Sequence, residues 1–90
     1  MLQLPEALNQ STATACLQAL TAAMRGSTAP AVVVDASRLS QFDSAALAVL
    51  LALRREATQL GKSFEIADLP QHMADLADLY GIAALLPAQG

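Results

Sequence analysis

The sequence predicts a small α/β domain, a mostly parallel sheet with helices in β-α-β-α-β-α order. Three observations carry that reading. Two short runs, 32–34 and 63–67, have the composition or alternation of strands. Three longer segments repeat apolar residues at helical spacing. Each of those segments is closed by a glycine, at 26, 61 and 81.

The elements follow in order. "LQL" at 2–4 forms a short first strand, ended by Pro5. Residues 11–25 are helical, with Ala13, Cys16, Leu17, Leu20 and Met24 on one stripe and Asn9 or Ser11 as the cap. "VVV" at 32–34, set between Pro30 and a polar turn, has the β-branched composition of a buried strand. In "QFDSAALAVLLALRREA", residues 41–57, Ala46, Leu50, Leu53, Ala57 and Leu60 share one face, with Leu47 and Leu51 beside it. Arg54, Arg55, Glu56 and Gln59 lie toward the other side. "SFEIA" at 63–67 alternates as a strand does. The closing helix carries Leu69, Met73, Leu76, Ala77 and Tyr80 as its stripe, and the tail after Gly81 has room for one more turn.

Composition excludes several function classes. Ninety residues suit one domain, 1–90, without internal repeats or linkers. The net charge of −3 and pI near 4.7 argue against nucleic acid, whose phosphates need a basic face. Cys16 is the single cysteine, so no internal disulfide forms. The longest apolar run, Ala45–Leu53, is nine residues, well short of the roughly 20 that cross a bilayer. With no basic, apolar leader at the N-terminus, the reading is a cytoplasmic chain without membrane insertion.

In a parallel sheet the loops leaving the strands' carboxyl ends form the natural binding edge. "PEALNQS" and "SRLSQFDS" both leave that edge and run into helices, which places Asn9, Ser11, Ser40, Asp43 and Ser44 on one surface. Local chemistry makes Ser44 the N-cap of its helix, with Asp43 favoured by the helix dipole. Ala45, Ala48 and Ala52 on the same helix let another backbone come close, and Arg55 borders them.

No catalytic constellation accompanies this surface. "GKS" at 61–63 ends like a phosphate-binding loop, but Glu56 stands where the first glycine is required and the turn leads from helix to strand. His72 has no cysteine or histidine at ligand spacing, so neither a metal site nor a nucleophile–base pair forms around it. The sequence implies no enzyme, no metal and no cofactor.

The stretch from Val32 to Ile82 resembles a STAS domain, the module named for sulfate transporters and anti-sigma-factor antagonists. The strand ending at Asp35, the "DSAALAVL" helix start, the "GK" turn into the next strand and the closing "LADLYGI" carry the likeness. It is good over about residues 31–83 and loose over the first 30. "LADLYGI" is most similar to the stand-alone STAS subunit of the Mla system, an ABC transporter for phospholipids that maintains outer-membrane lipid asymmetry in Gram-negative bacteria.

The resemblance implies a non-catalytic subunit that docks on the transporter's cytoplasmic ATPase, peripheral to the inner membrane when in complex. The alternative it implies is an anti-sigma-factor antagonist, with an anti-sigma-factor kinase as partner and Ser44 as the phosphorylated residue. STAS domains usually begin with one more strand than is legible here. A truncated first strand leaves a sheet edge open to a second copy, and hence to a homodimer.

Overall fold

The structure, a computed structural model, describes residues 2–86 and 88–89. Its main sheet has four strands in the order β1-β3-β5-β6, where β1 is Leu2–Gln3, β3 is Ala31–Asp35, β5 is Ser63–Ala67 and β6 is Ala88–Gln89. All its pairings are parallel, as are those of a second, two-stranded ladder between β2 (Ala7–Leu8) and β4 (Gln41–Phe42). Helices α1 (Ala13–Arg25), α2 (Ser44–Gln59) and α3 (Gln71–Leu79) connect the strands. The expected α/β order is therefore present, with β2, β4, β6 and a 3₁₀ turn at Ala83–Leu85 added to it.

The strands β3 and β5 pair along their whole length, Val32 opposite Phe64 and Val34 opposite Ile66. Those four side chains are buried beneath the helices, whereas Ala31, Ser63 and Glu65 on the alternate face are exposed and Val33 is half-buried. The β-branched run, read as a buried strand, is thus buried on one face and half-covered on the other. Continuous apolar sequence does not separate this from burial on both faces, because Val33 has the same β-propensity in either case. The first strand is also short: Leu2 and Gln3 pair with Val34 and Asp35, and the Leu4 amide adds one bond to the Asp35 carbonyl at 2.9 Å. Along Ala31–Val33, β3 has no strand on that side among the described residues.

Helix α2 is the centre of the core. Ala46, Leu50, Leu53 and Ala57 are fully enclosed, with Leu47 and Val49 nearly so. Helix α1 buries only Met24 completely, and Ala13, Cys16, Leu17 and Leu20 are half-covered against the core. Burial pushes the Cys16 thiol up from its ordinary pKa, since a thiolate there would lose hydration. Leu60 and Tyr80, assigned to the buried stripes by periodicity, are exposed at 41% and 57%. Each stands at a helix C-cap, where the chain turns away and the 3.6-residue period no longer sets its direction.

Two glycines fix those turns. Gly61 and Gly81 have φ of 72° and 71°, the left-handed region that side-chain-bearing residues enter at a cost. In each, the residue after the glycine donates back five residues, Lys62 to the Ala57 carbonyl at 2.8 Å and Ile82 to the Ala77 carbonyl at 3.0 Å. The glycine amides donate to Thr58 and Asp78. These paired bonds are Schellman caps, which satisfy the last free carbonyls of α2 and α3.

Lys62 then reaches across the molecule. Its Nζ donates to the Ser27 carbonyl at 2.9 Å and to the Ala29 carbonyl, tying the loop before β3 to the start of β5. Replacing it with methionine keeps the stem but leaves two carbonyls to water. A loss of about 1 kcal/mol is expected, below the usual value for a charge-assisted bond because the site is exposed. A urea unfolding midpoint checks it.

Candidate functional site

The binding edge is assembled by the small β2–β4 ladder. Pairing Ala7 with Gln41 and Leu8 with Phe42 aligns two loops that leave in the same direction, residues 9–12 into α1 and residue 43 into α2. Asp43 joins them. Its backbone is extended (φ −126°, ψ −168°), and Oδ1 accepts the Ala45 amide at 2.8 Å. Oδ2 accepts the Gln10 amide, 33 residues earlier, at 3.2 Å.

Asp43, not Ser44, is therefore the N-cap of α2. The physical reason is reach: a carboxylate offers two oxygens and serves both loops at once, whereas a hydroxyl has a single oxygen. Ser44 becomes the first helical residue, exposed, and its hydroxyl makes no hydrogen bond among the described residues.

The first loop is organised by its own side chains. Asn9 Oδ1 accepts the Ser11 amide at 3.0 Å and the Ser11 hydroxyl at 2.7 Å. The Asn9 carbonyl accepts the Thr12 and Ala13 amides, and Thr12 Oγ1 accepts the Asn9 amide at 3.0 Å. Ser11 is held in this turn, so α1 starts at Ala13 with Thr12 at the cap position and no side-chain cap bond. Asn9 and Ser11 thus shape the loop next to Gln10 and do not cap the helix.

Ser40 is exposed, but its amide donates to the Glu6 carbonyl at 2.9 Å, which makes it part of the ladder's entry. At the carboxyl end of β3, the Ser37 amide and, less strongly, the Ser37 hydroxyl hold the Asp35 carboxyl below its usual range. That turn is stabilising above the ordinary carboxylate range and loses its contribution as pH falls through the lowered value.

Three shallow depressions lie along the outer face of α2. The first is lined by Gln10, Asp43, Ser44, Ala45 and Ala48. The second, lined chiefly by Ser44, Ala48, Leu51, Tyr80 and Ile82, shares Ser44 and Ala48 with it. The third, where Arg54, Arg55, Thr58 and Leu85 meet, shares Leu51 with the second. Ser44, Ala48, Leu51 and Arg55 are spaced i, i+4, i+7 and i+11, so they form a single stripe. Ala52, half-buried, lines none of the three.

The far wall was not legible as a site in the sequence. Tyr80 and Leu51 read as helix-stripe residues, and Ile82 and Leu85 as tail. The signal present was the Gly81 stop, which ends α3 and turns the next residues back toward α2. Nothing among the described residues at this edge forms a nucleophile–base pair. His72 packs on Phe42, ring centroids 5.6 Å apart and tilted 57°. No cluster of three metal-ligating side chains occurs among the described residues, and none of their helices is long and apolar enough to cross a membrane.

Comparison with known proteins agrees with this architecture. No curated protein matches the sequence. Among solved structures, that of the anti-sigma factor antagonist SpoIIAA in its unphosphorylated form superposes with a TM-score of 0.74 at 14% identity, covering 98% of this chain and 76% of that one. At that identity the likeness is one of fold. The family described as "Mlab, STAS domain" matches residues 1–87. With that match over nearly its whole length, the chain belongs to the MlaB-type STAS domain family.

Proposed function

We propose that this chain is a non-enzymatic STAS subunit that docks on the cytoplasmic ATPase of a phospholipid ABC transporter maintaining outer-membrane lipid asymmetry. In that role it sits on the cytoplasmic side of the inner membrane, held there by its partner. The family match over residues 1–87 carries the reading. The free Ser44 hydroxyl, beside alanine-lined ground that a second backbone can approach, supplies a place for the contact. Ser44, Asp43, Ala45, Ala48 and Arg55 are the residues assigned to it, with Asn9 and Ser11 shaping the neighbouring loop. Co-purification of the tagged chain with the cognate ATPase tests the reading. A stoichiometric complex is expected, and an ATPase that passes through unbound overturns it.

A second reading has its own support in the fold shared with SpoIIAA, an anti-sigma factor antagonist. In it Ser44 is a phosphoacceptor and the partner an anti-sigma-factor kinase. A phosphate at the first position of α2 gains from the helix dipole but sits beside the Asp43 carboxylate, which already holds the Ala45 amide, so it changes a docking surface more than it changes the fold. Intact mass of protein from its native cell, with and without phosphatase, separates the two readings. A second copy pairing along the open side of β3 is independent of both and is read by sedimentation.

A further inference from the structure

The exposed apolar side chains of this domain are concentrated in one place. Of the four large ones among the described residues, three lie within 79–85: Tyr80 and Leu85 wall the depressions on α2, and Leu79, 80% exposed, stands next to Tyr80 outside them. Solvated apolar clusters of this kind mark interaction sites. The floor is small at one end, Ser44 and Ala48, and bulkier at Leu51. From Ser44 to Arg55 the stripe runs 11 residues, about 16 Å at the helical rise. That is the length of three helical turns. The groove offers side chains of helix and turn and no free strand edge, so an extended peptide would gain no ladder bonds there.

Charge distinguishes this groove from the rest of the surface. The chain is net negative, yet the groove's far end carries Arg54 and Arg55. Neither forms an ion pair among the described residues, whereas Arg25 on α1 is paired with Glu56 at 2.6 Å. The near end is the amino terminus of α2, which carries partial positive charge, though Asp43 lies beside it. An apolar floor with two uncommitted guanidinium groups at one mouth complements an amphipathic helix that is acidic at the matching end.

We propose that the groove between the outer face of α2 and the turn at Tyr80–Leu85 receives an acidic amphipathic helix of a protein partner, its apolar face on Ala48, Leu51 and Tyr80 and its carboxylates on Arg54 and Arg55. This deepens the docking reading above and rests on it for the identity of the partner. The side-chain chemistry of the occupant follows from the groove itself.

The chain has one tyrosine and no tryptophan, so Tyr80 emission reports occupancy of the groove directly. The probes are two synthetic 18-residue helices without aromatic residues, identical in their leucine–alanine face. One carries glutamate at its polar positions, the other lysine. The glutamate helix is expected to change Tyr80 emission saturably and to bind at least tenfold more tightly than the lysine helix. In the Arg54→Glu/Arg55→Glu variant, checked by circular dichroism for native fold, that preference is expected to invert.

Equal response to both helices, response to neither, or a preference unmoved by the charge reversal overturns the proposal. Tyr80 emission that changes with protein concentration alone assigns the groove to a second copy and also overturns it. Failure of the docking reading shows separately, as an ATPase that does not co-purify while the glutamate helix still binds.

Discussion

Replacing Leu50 with alanine is expected to lower stability by about 2–5 kcal/mol, the range for truncating a fully buried leucine. Leu50 is completely enclosed in the middle of α2, among Ala46, Leu53 and Ala57, which are equally enclosed. Two of these, Ala46 and Ala57, are alanines, and only Phe64 adds a buried ring to this core among the described residues. Alanines have little side chain with which to fill a void, so the cost should fall in the upper half of that range. Small domains have about 5–15 kcal/mol in total, and a 90-residue chain buries a modest share of its surface. The variant therefore keeps a fraction of its original stability. Urea unfolding followed by helix circular dichroism gives the midpoint shift, about 1–5 M for m values near 1–3 kcal/mol/M. Leu79→Ala is the control, because truncating a side chain 80% exposed should change stability by no more than about 0.5 kcal/mol. Equal losses at 50 and 79 would mean that α2 is not the centre of the core.

How far the sequence disclosed this molecule depends on which interaction decides each feature. Helix α2 was legible because its buried residues recur at the helical period and burial follows period. Strand β5 was legible for the same reason at period two, and β3 by the β-branched composition of Val32–Val34. The β2–β4 ladder was not, since Ala7–Leu8 and Gln41–Phe42 are two residues each and too short for any period to register. The N-cap shows the other limit. Asp43 and Ser44 are both good capping types, and adjacent residues of that kind are ranked by a long-range partner. That partner is the Gln10 amide, which only the assembled loops supply. The groove wall failed to appear because Tyr80 lies one residue beyond α3, where the stripe that predicted its burial no longer applies.

Exchanging the cap assignment gives a consequence that sequence reasoning alone would have reversed. Were Ser44 the N-cap, Ser44→Ala would cost about 1 kcal/mol. With Asp43 as the cap, Ser44→Ala is expected to leave the melting temperature within about 2 °C of the original. Asp43→Ala should take the loss instead, about 1–2 kcal/mol, because it frees the Ala45 and Gln10 amides together. Ser44→Arg separates stability from recognition. Arginine at the first helical position opposes the dipole by a few tenths of a kcal/mol, a small change in folding. At the docking surface it places a long cation over Ala48, where the partner's backbone is to approach. Binding to the transporter ATPase is expected to weaken at least 100-fold, which corresponds to about 2.7 kcal/mol. Calorimetric titration of ATPase into the two Ser44 variants and Asp43→Ala, beside their thermal unfolding, reads both effects. Ser44→Arg that binds as tightly as the unaltered chain would remove Ser44 from the interface. Ser44→Ala that unfolds as early as Asp43→Ala would return the cap to the hydroxyl. The two side chains are neighbours in sequence with separate roles, because the carboxylate is consumed in holding two loops together and the hydroxyl beside it is left free to be touched.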